Sequence, residues 1–166
     1  MHINFNGYTA IVTGATEGIG NSIASMLVKK DCRVIYTGQS ESSKNLIPGG
    51  EYAQLDLSNQ DSINHFINQT IKKTSGIDIL INNAGIQIPA LTESIKLSDW
   101  NKTMAVNITG PMQLIQAVIP HMKESKYGRI VNVGSIAGVI TKQGQGAYSA
   151  SKSGLIGLTR TIALEL

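Results

Sequence analysis

Tyr148 and Lys152 stand four residues apart in Ala147-Tyr148-Ser149-Ala150-Ser151-Lys152. On a helix that spacing puts both side chains on one face. An isolated tyrosine ionises near pH ~10, too high for proton exchange at neutral pH. A neighbouring ammonium favours the phenolate, so such a tyrosine could give a proton to a carbonyl oxygen or take one from an alcohol. Ser135, thirteen residues before Tyr148 in Val133-Gly134-Ser135, could hydrogen-bond the same oxygen. Asn107 is a poor helix former in an otherwise apolar stretch, and could hold a water that contacts Lys152. Taken singly, each residue has a plainer reading: a surface pair, a turn serine, a tolerated asparagine.

A second group of residues suits a phosphate ligand. Thr13-Gly14-Ala15-Thr16-Glu17-Gly18-Ile19-Gly20 reads as a strand turning into a helix. Glycines there permit a tight turn and a close approach of backbone to a pyrophosphate, which the first N–H groups of the helix would face. The spacing G-x-x-x-G-x-G differs from the common dinucleotide fingerprint, and alone it also fits a turn without ligand. Asp56, in Leu55-Asp56-Leu57-Ser58, could accept from an adenine amino group or simply enter a helix. Asn82-Asn83-Ala84-Gly85 allows a turn at the carboxyl edge of a sheet, where open α/β folds bind ligands.

These segments need a scaffold that brings them to one edge. Short β-rich runs are predicted at Tyr8–Thr13, Arg33–Gly38, Glu51–Leu55, Asp78–Asn82 and Arg129–Val133, with helices at Ile19–Lys30, Gln60–Thr74 and Asp99–Glu124. A last helix is expected from near Ala147 to the chain end. Ser58, with Asp61 three residues on, has a capping-box-like spacing, and Ser98 could cap the long helix. Alternation of strand and helix at these lengths implies right-handed crossovers and a parallel sheet. The expected fold class is α/β, a Rossmann-like doubly wound parallel sheet with helices on both faces and strand order 3-2-1-4-5. Over its whole length the last helix carries only Lys152, Arg160 and Glu165 as charges. An apolar surface that wide calls for burial on a second side, by a partner subunit or by further chain.

Bulk composition excludes several classes. The 166 residues suffice for one domain with a core. A 42% hydrophobic and 15% charged content fits a globular chain. The net charge of +3 is scattered and forms no basic stripe for nucleic acid. Cys32 is the single cysteine, so a disulfide framework or zinc site is not supported; it is read as a small core residue at a strand entry. No metal site is expected. The polar start, Met1 to Tyr8, holds no apolar signal core, and no run reaches membrane-spanning length. The expectation is a soluble, cytoplasmic protein.

Together, Thr13–Gly20, Asn82–Gly85, Asn107, Ser135 and Tyr148-x-x-x-Lys152 resemble the pattern of the short-chain dehydrogenases/reductases, from about Phe5 to Leu166. The resemblance implies an NAD(P)(H)-dependent oxidoreductase interconverting a carbonyl and an alcohol. Its catalytic tetrad would be Asn107, Ser135, Tyr148 and Lys152, with Lys152 also bonding the nicotinamide ribose. It implies cofactor contacts at Gly14, Thr16, Glu17, Gly18, Ile19, Gly20, Gly38, Gln39, Asp56, Leu57, Asn83, Ala84, Gly85, Tyr148 and Lys152. Gly128-Arg129-Ile130-Val131-Asn132 and Ala147–Lys152 resemble the 3-oxoacyl-acyl-carrier-protein reductases, which implies an acyl thioester substrate and NADPH.

The chain also departs from that pattern. Family members continue beyond this helix with two more strands and a substrate-covering lid. The expected sheet therefore lacks the last strands of the family fold, and its fifth strand becomes an exposed edge. A non-catalytic nucleotide-binding or scaffold protein of the same fold is the alternative. Coenzyme signals conflict. Tyr36-Thr37-Gly38-Gln39-Ser40 has no acid at the ribose position, leaving room for the extra phosphate of NADP. Glu17 and Glu41 oppose that phosphate, and Lys44 could offset them. NADP is favoured slightly over NAD. A homo-oligomer through helices 99–124 and 147–166 is expected.

Overall fold

The computed structural model describes residues 4–43 and 45–166; Lys44, invoked above as a charge offset, lies outside them. Five short strands, β1 Thr9–Val12, β2 Arg33–Gly38, β3 Glu51–Gln54, β4 Ile79–Asn82 and β5 Arg129–Asn132, make one sheet in the order β3-β2-β1-β4-β5. Every pairing is parallel, with Ile11 opposite Ile35 on one side and Leu80 on the other. This is the expected order. Parallel neighbours also place all five carboxyl ends at one edge, where the loops that follow them converge.

Strand alternation divides the core into two layers. Ile11, Ile35 and Leu80 face one layer, where they meet Phe66, Leu114, Ile115 and Val118. Ala10, Val12, Val34, Tyr36, Ile79 and Ile81 face the other, against Ala24 and Leu27 of α1 (Gly18–Val28). Cys32 is buried in this second layer at the entry to β2. Its thiol is pushed up to about 11, chiefly by burial. Beyond β4 this layer is thinly covered among the described residues, and Val131 of the edge strand β5 is 48% exposed.

The helices depart from expectation in instructive ways. α2 (Gln60–Phe66) runs on through a π turn at Ile67–Ile71. Its cap is Asn59, whose side chain accepts from the N–H groups of Asp61 and Ser62 at 2.9 and 3.2 Å. The expected cap, Ser58, instead gives its hydroxyl and N–H to Asp56 at 2.6 and 2.8 Å. A carboxylate two residues upstream competes for it as an Asx turn does. Ser98 is not a cap either: α3 (Leu97–Met104) starts before it, behind Lys96, with no side-chain cap.

The predicted continuous helix over 99–124 is two helices, α3 and α4 (Gly110–Ser125), joined by a π turn at Ala105–Thr109. Pro111 explains part of the break. It has no N–H to give to the Asn107 carbonyl four residues back, and the ladder widens there, with Gly110 N–H bonded to Ala105. The chain ends on α5 (Gly146–Glu165), whose buried residues lie in its first half, Ala147, Ser151, Lys152 and Leu155. Its far end is open, with Leu164 90% exposed. Among the described residues no helix is long and apolar enough to cross a membrane.

Leu114 is wholly buried while Met26 is 65% exposed. Leu114→Ala should therefore cost about 2–5 kcal/mol, and Met26→Ala within about 0.5 kcal/mol, both read by urea denaturation.

Candidate active site

Thr13, just past β1, draws two strand ends together. Its hydroxyl oxygen accepts from the N–H groups of Asn83 and Ala84, both at 3.0 Å. Asn83 answers by donating its side-chain amide to the carbonyls of Thr13 and Gly14, both at 2.9 Å. The turn after β1 and the turn after β4 are thus one hydrogen-bonded unit. Gly20 must be glycine for this to fit: a Cβ there would lie 2.9 Å from Ala15 Cα and against the Asn83 amide. α1 opens behind Glu17, which gives no side-chain cap. Its leading N–H groups therefore have no intrahelical partner, the arrangement that binds anions.

A cleft of about 570 Å3 lies along this edge. Of the expected cofactor contacts, Gly14, Thr16, Glu17, Gly38, Gln39, Asp56, Leu57, Asn83, Ala84 and Gly85 line it. Gly18, Ile19 and Gly20 sit in the first turn of α1 behind it, and Tyr148 and Lys152 belong to α5 beyond its end. At the end of β2 a Cβ on Gly38 would lie 2.5 Å from the Thr16 methyl, so the absence of a side chain there keeps the mouth open. Gln39 donates to Asp56 at 2.9 Å. Burial pushes the Asp56 carboxyl up, but hydrogen bonds from Ser58 and Gln39, with the Lys102 charge, hold it below the usual carboxylate range.

Sequence reasoning missed Thr37, Leu55, Ile86, Gln87, Ile88, Lys102 and Val106, which also line the cleft. Ile86–Ile88 continues the Asn82–Gly85 turn without any residue type that signals chemistry. Lys102 and Val106 carried a usable signal: they stand at i, i+4, the first on α3 and the second in the π turn directly before Asn107.

The four expected catalytic residues lie on the segments past β4 and β5, on the π turn after α3 and on the first turns of α5. Asn107, fully buried in its π turn, accepts from Ile86 N–H at 2.8 Å and donates to Ile86 C=O at 2.8 Å and to Ser151 Oγ at 3.0 Å. Both ends of the amide are engaged as a clamp on the backbone after Gly85. Ser135, past β5, accepts from Ala137 N–H at 3.1 Å, which leaves its own hydroxyl hydrogen to give. Lys152 is 3% exposed, donates to the Val133 carbonyl at 2.7 Å, and lies 5.9 Å from the centre of the Tyr148 ring. Burial lowers its pKa from the ordinary lysine value. A Cβ on Gly85 would come within 3.4 Å of Lys152 Nζ and 3.5 Å of Asn107 Oδ1.

Residues 8–166 match the family described as short chain dehydrogenase. The chain is 40% identical over 171 residues to the 3-oxoacyl-[acyl-carrier-protein] reductase FabG of Buchnera aphidicola subsp. Acyrthosiphon pisum, covering 99% of this chain and 69% of that protein. It is 34% identical over 169 residues to FabG of Escherichia coli, with the same shares. A solved structure described as a short chain dehydrogenase/reductase family protein superposes with a TM-score of 0.89 at 31% identity, covering 98% of this chain and 69% of that one.

Asn107→Ala should leave the Ile86 N–H and C=O without their partners, costing about 1–3 kcal/mol. Faster hydrogen exchange at the Ile86 amide, compared with the parent protein, checks the clamp directly.

Proposed function

Since the chain belongs to the short-chain dehydrogenase family, and so to oxidoreductases that interconvert a carbonyl and an alcohol with NAD(P), we propose that it reduces a 3-oxoacyl thioester using NADPH. The observation that carries the reading is Lys152, an ammonium held in the interior on the Val133 carbonyl, one helical turn from Tyr148. The likeness to two FabG proteins supports the thioester. The lack of an acid at Gly38-Gln39-Ser40 supports NADPH.

The cleft suits such a cofactor on its own chemistry. Its glycine turn would collide with an added side chain, its helix start offers N–H groups without partners, and Asp56 stands charged at its far end. Gly14–Gly20 would hold the pyrophosphate, Asp56 and Leu57 the adenine, Asn83–Gly85 the central ribose, and Lys152 the nicotinamide ribose. When bound, the nicotinamide supplies hydride to the substrate carbonyl carbon. Ser135 donates a hydrogen bond to the carbonyl oxygen while its own oxygen is held by Ala137 N–H. Tyr148 gives that oxygen its proton. The Lys152 ammonium offsets the negative charge left on the phenol, and in a low-dielectric interior that attraction is stronger than in water. Asn107 keeps the Ile86 backbone in place against this group.

The protein acts in the cytoplasm on this reading, without nucleic-acid or membrane partners. The open apolar end of α5, with Ala163, Leu164 and Leu166 exposed, supports a homo-oligomer built on α3, α4 and α5.

With NADPH and acetoacetyl thioesters, turnover is followed by loss of NADPH absorbance. Tyr148→Phe should lower kcat about 100- to 10,000-fold while leaving the cofactor Kd within about threefold. Unchanged kcat, or a parent protein inactive toward thioesters and simple ketones with either coenzyme, overturns the reading. Glu17→Arg removes a carboxylate from the phosphate end and adds a cation. It should tighten NADPH about tenfold or more with NADH little changed, as measured by fluorescence titration.

A further inference from the structure

We infer that Asn82, Asn132 and Thr159 are positioning residues, a directed hydrogen-bond relay that seats α5 so that Lys152 meets the Val133 carbonyl. The inference rests on the catalytic reading of Lys152 and concerns residues outside that reading.

The relay has one sense only. Thr159 Oγ1 donates its single hydrogen to the Leu155 carbonyl at 2.6 Å, so toward Asn132 it can only accept. Asn132 therefore turns its Nδ2 to Thr159, at 2.9 Å, and its Oδ1 to Asn82. Asn82 in turn must present Nδ2, at 2.8 Å. This orientation leaves Asn82 Oδ1 buried without a partner. A bare buried acceptor costs stability, so the contact to Asn132 is kept against a local penalty, in a residue only 2% exposed.

The relay ends where the site needs it. Thr159 stands seven residues, two helical turns, after Lys152, hence on the same face of α5. Asn132 immediately precedes Val133, whose carbonyl takes the Lys152 ammonium at 2.7 Å. The end of β5 is therefore tied to α5 at two points on adjacent residues, one through Thr159 and one through Lys152. Two points two turns apart fix the direction of a helix as well as its height on a strand; one would leave it free to pivot. Asn82 carries the tie to β4, directly before Asn83 and the cofactor turn. Tyr148, one turn before Lys152, inherits the same setting.

Thr159→Val removes the hydroxyl at nearly constant volume, and Thr159→Ser keeps it. Steady-state kinetics with NADPH and an acetoacetyl thioester should show kcat falling about tenfold or more in Thr159→Val, KM within about twofold, and recovery in Thr159→Ser. A crystal structure of Thr159→Val should show Lys152 Nζ beyond about 3.5 Å of the Val133 carbonyl. If Thr159→Val loses thermal stability but keeps both its kcat and the Lys152–Val133 contact, the three residues are only structural and the inference is overturned. If the parent protein itself turns over nothing, the proposed function fails. The relay is then judged on the crystal contact alone, and an unmoved Lys152 overturns it.

Discussion

An ammonium buried at 3% exposure with one protein carbonyl at 2.7 Å is an expensive thing to keep in a fold. Everything around Lys152 limits that expense or follows from it. The carbonyl comes from the chain just past β5, so the strand must end in register with α5. The ring of Tyr148 lies alongside, its centre 5.9 Å from the ammonium. No carboxylate bonds to Lys152, among the described residues, to neutralise it. On the proposed function, that charge answers the negative charge that develops at the phenol beside it.

The other half of the site comes from parallel pairing. Because β1, β2, β3 and β4 run the same way, Gly14, Gly38, Asp56 and Asn83 reach one edge although sixty-nine residues separate Gly14 from Asn83. What holds them level is polar rather than apolar: Thr13 and Asn83 exchange hydrogen bonds across β1 and β4, and Gln39 reaches Asp56 across β2 and β3. Apolar side chains fill the two layers above and below, where alternation along each strand sends Ile11 one way and Val12 the other.

Much of this was legible in the residues. The strand order followed from alternation and length, and Tyr148 and Lys152 declared a shared face by spacing alone. The losses have physical causes. Ser58 looked like a cap because spacing says nothing of the competing Asp56 carboxylate. Asn107 sat where a smooth apolar pattern implied an unbroken helix, yet Pro111 four residues on withholds the N–H its carbonyl would need. The partner of its amide, Ile86, is distant in sequence and uses only backbone atoms, which every residue has. Lys102 reads as one more surface lysine until α3 is laid beside the cleft. The relay through Asn132 and Thr159 joins a strand to a helix, and neither residue type marks its partner.

The widened turn at Ala105–Thr109 also acts as a phase shifter. Before it, Lys102 looks into the cleft; after it, Leu114, Ile115, Val118 and Met122 look into the core. A regular helix advances about 100° per residue, so dropping one residue here would swing the whole of α4 by that angle and turn its apolar stripe off the sheet. The number of residues between Lys102 and Leu114 is consequently under as tight a restriction as the identity of Asn107. Variation in this region can change side chains freely on the outer face but cannot change the count.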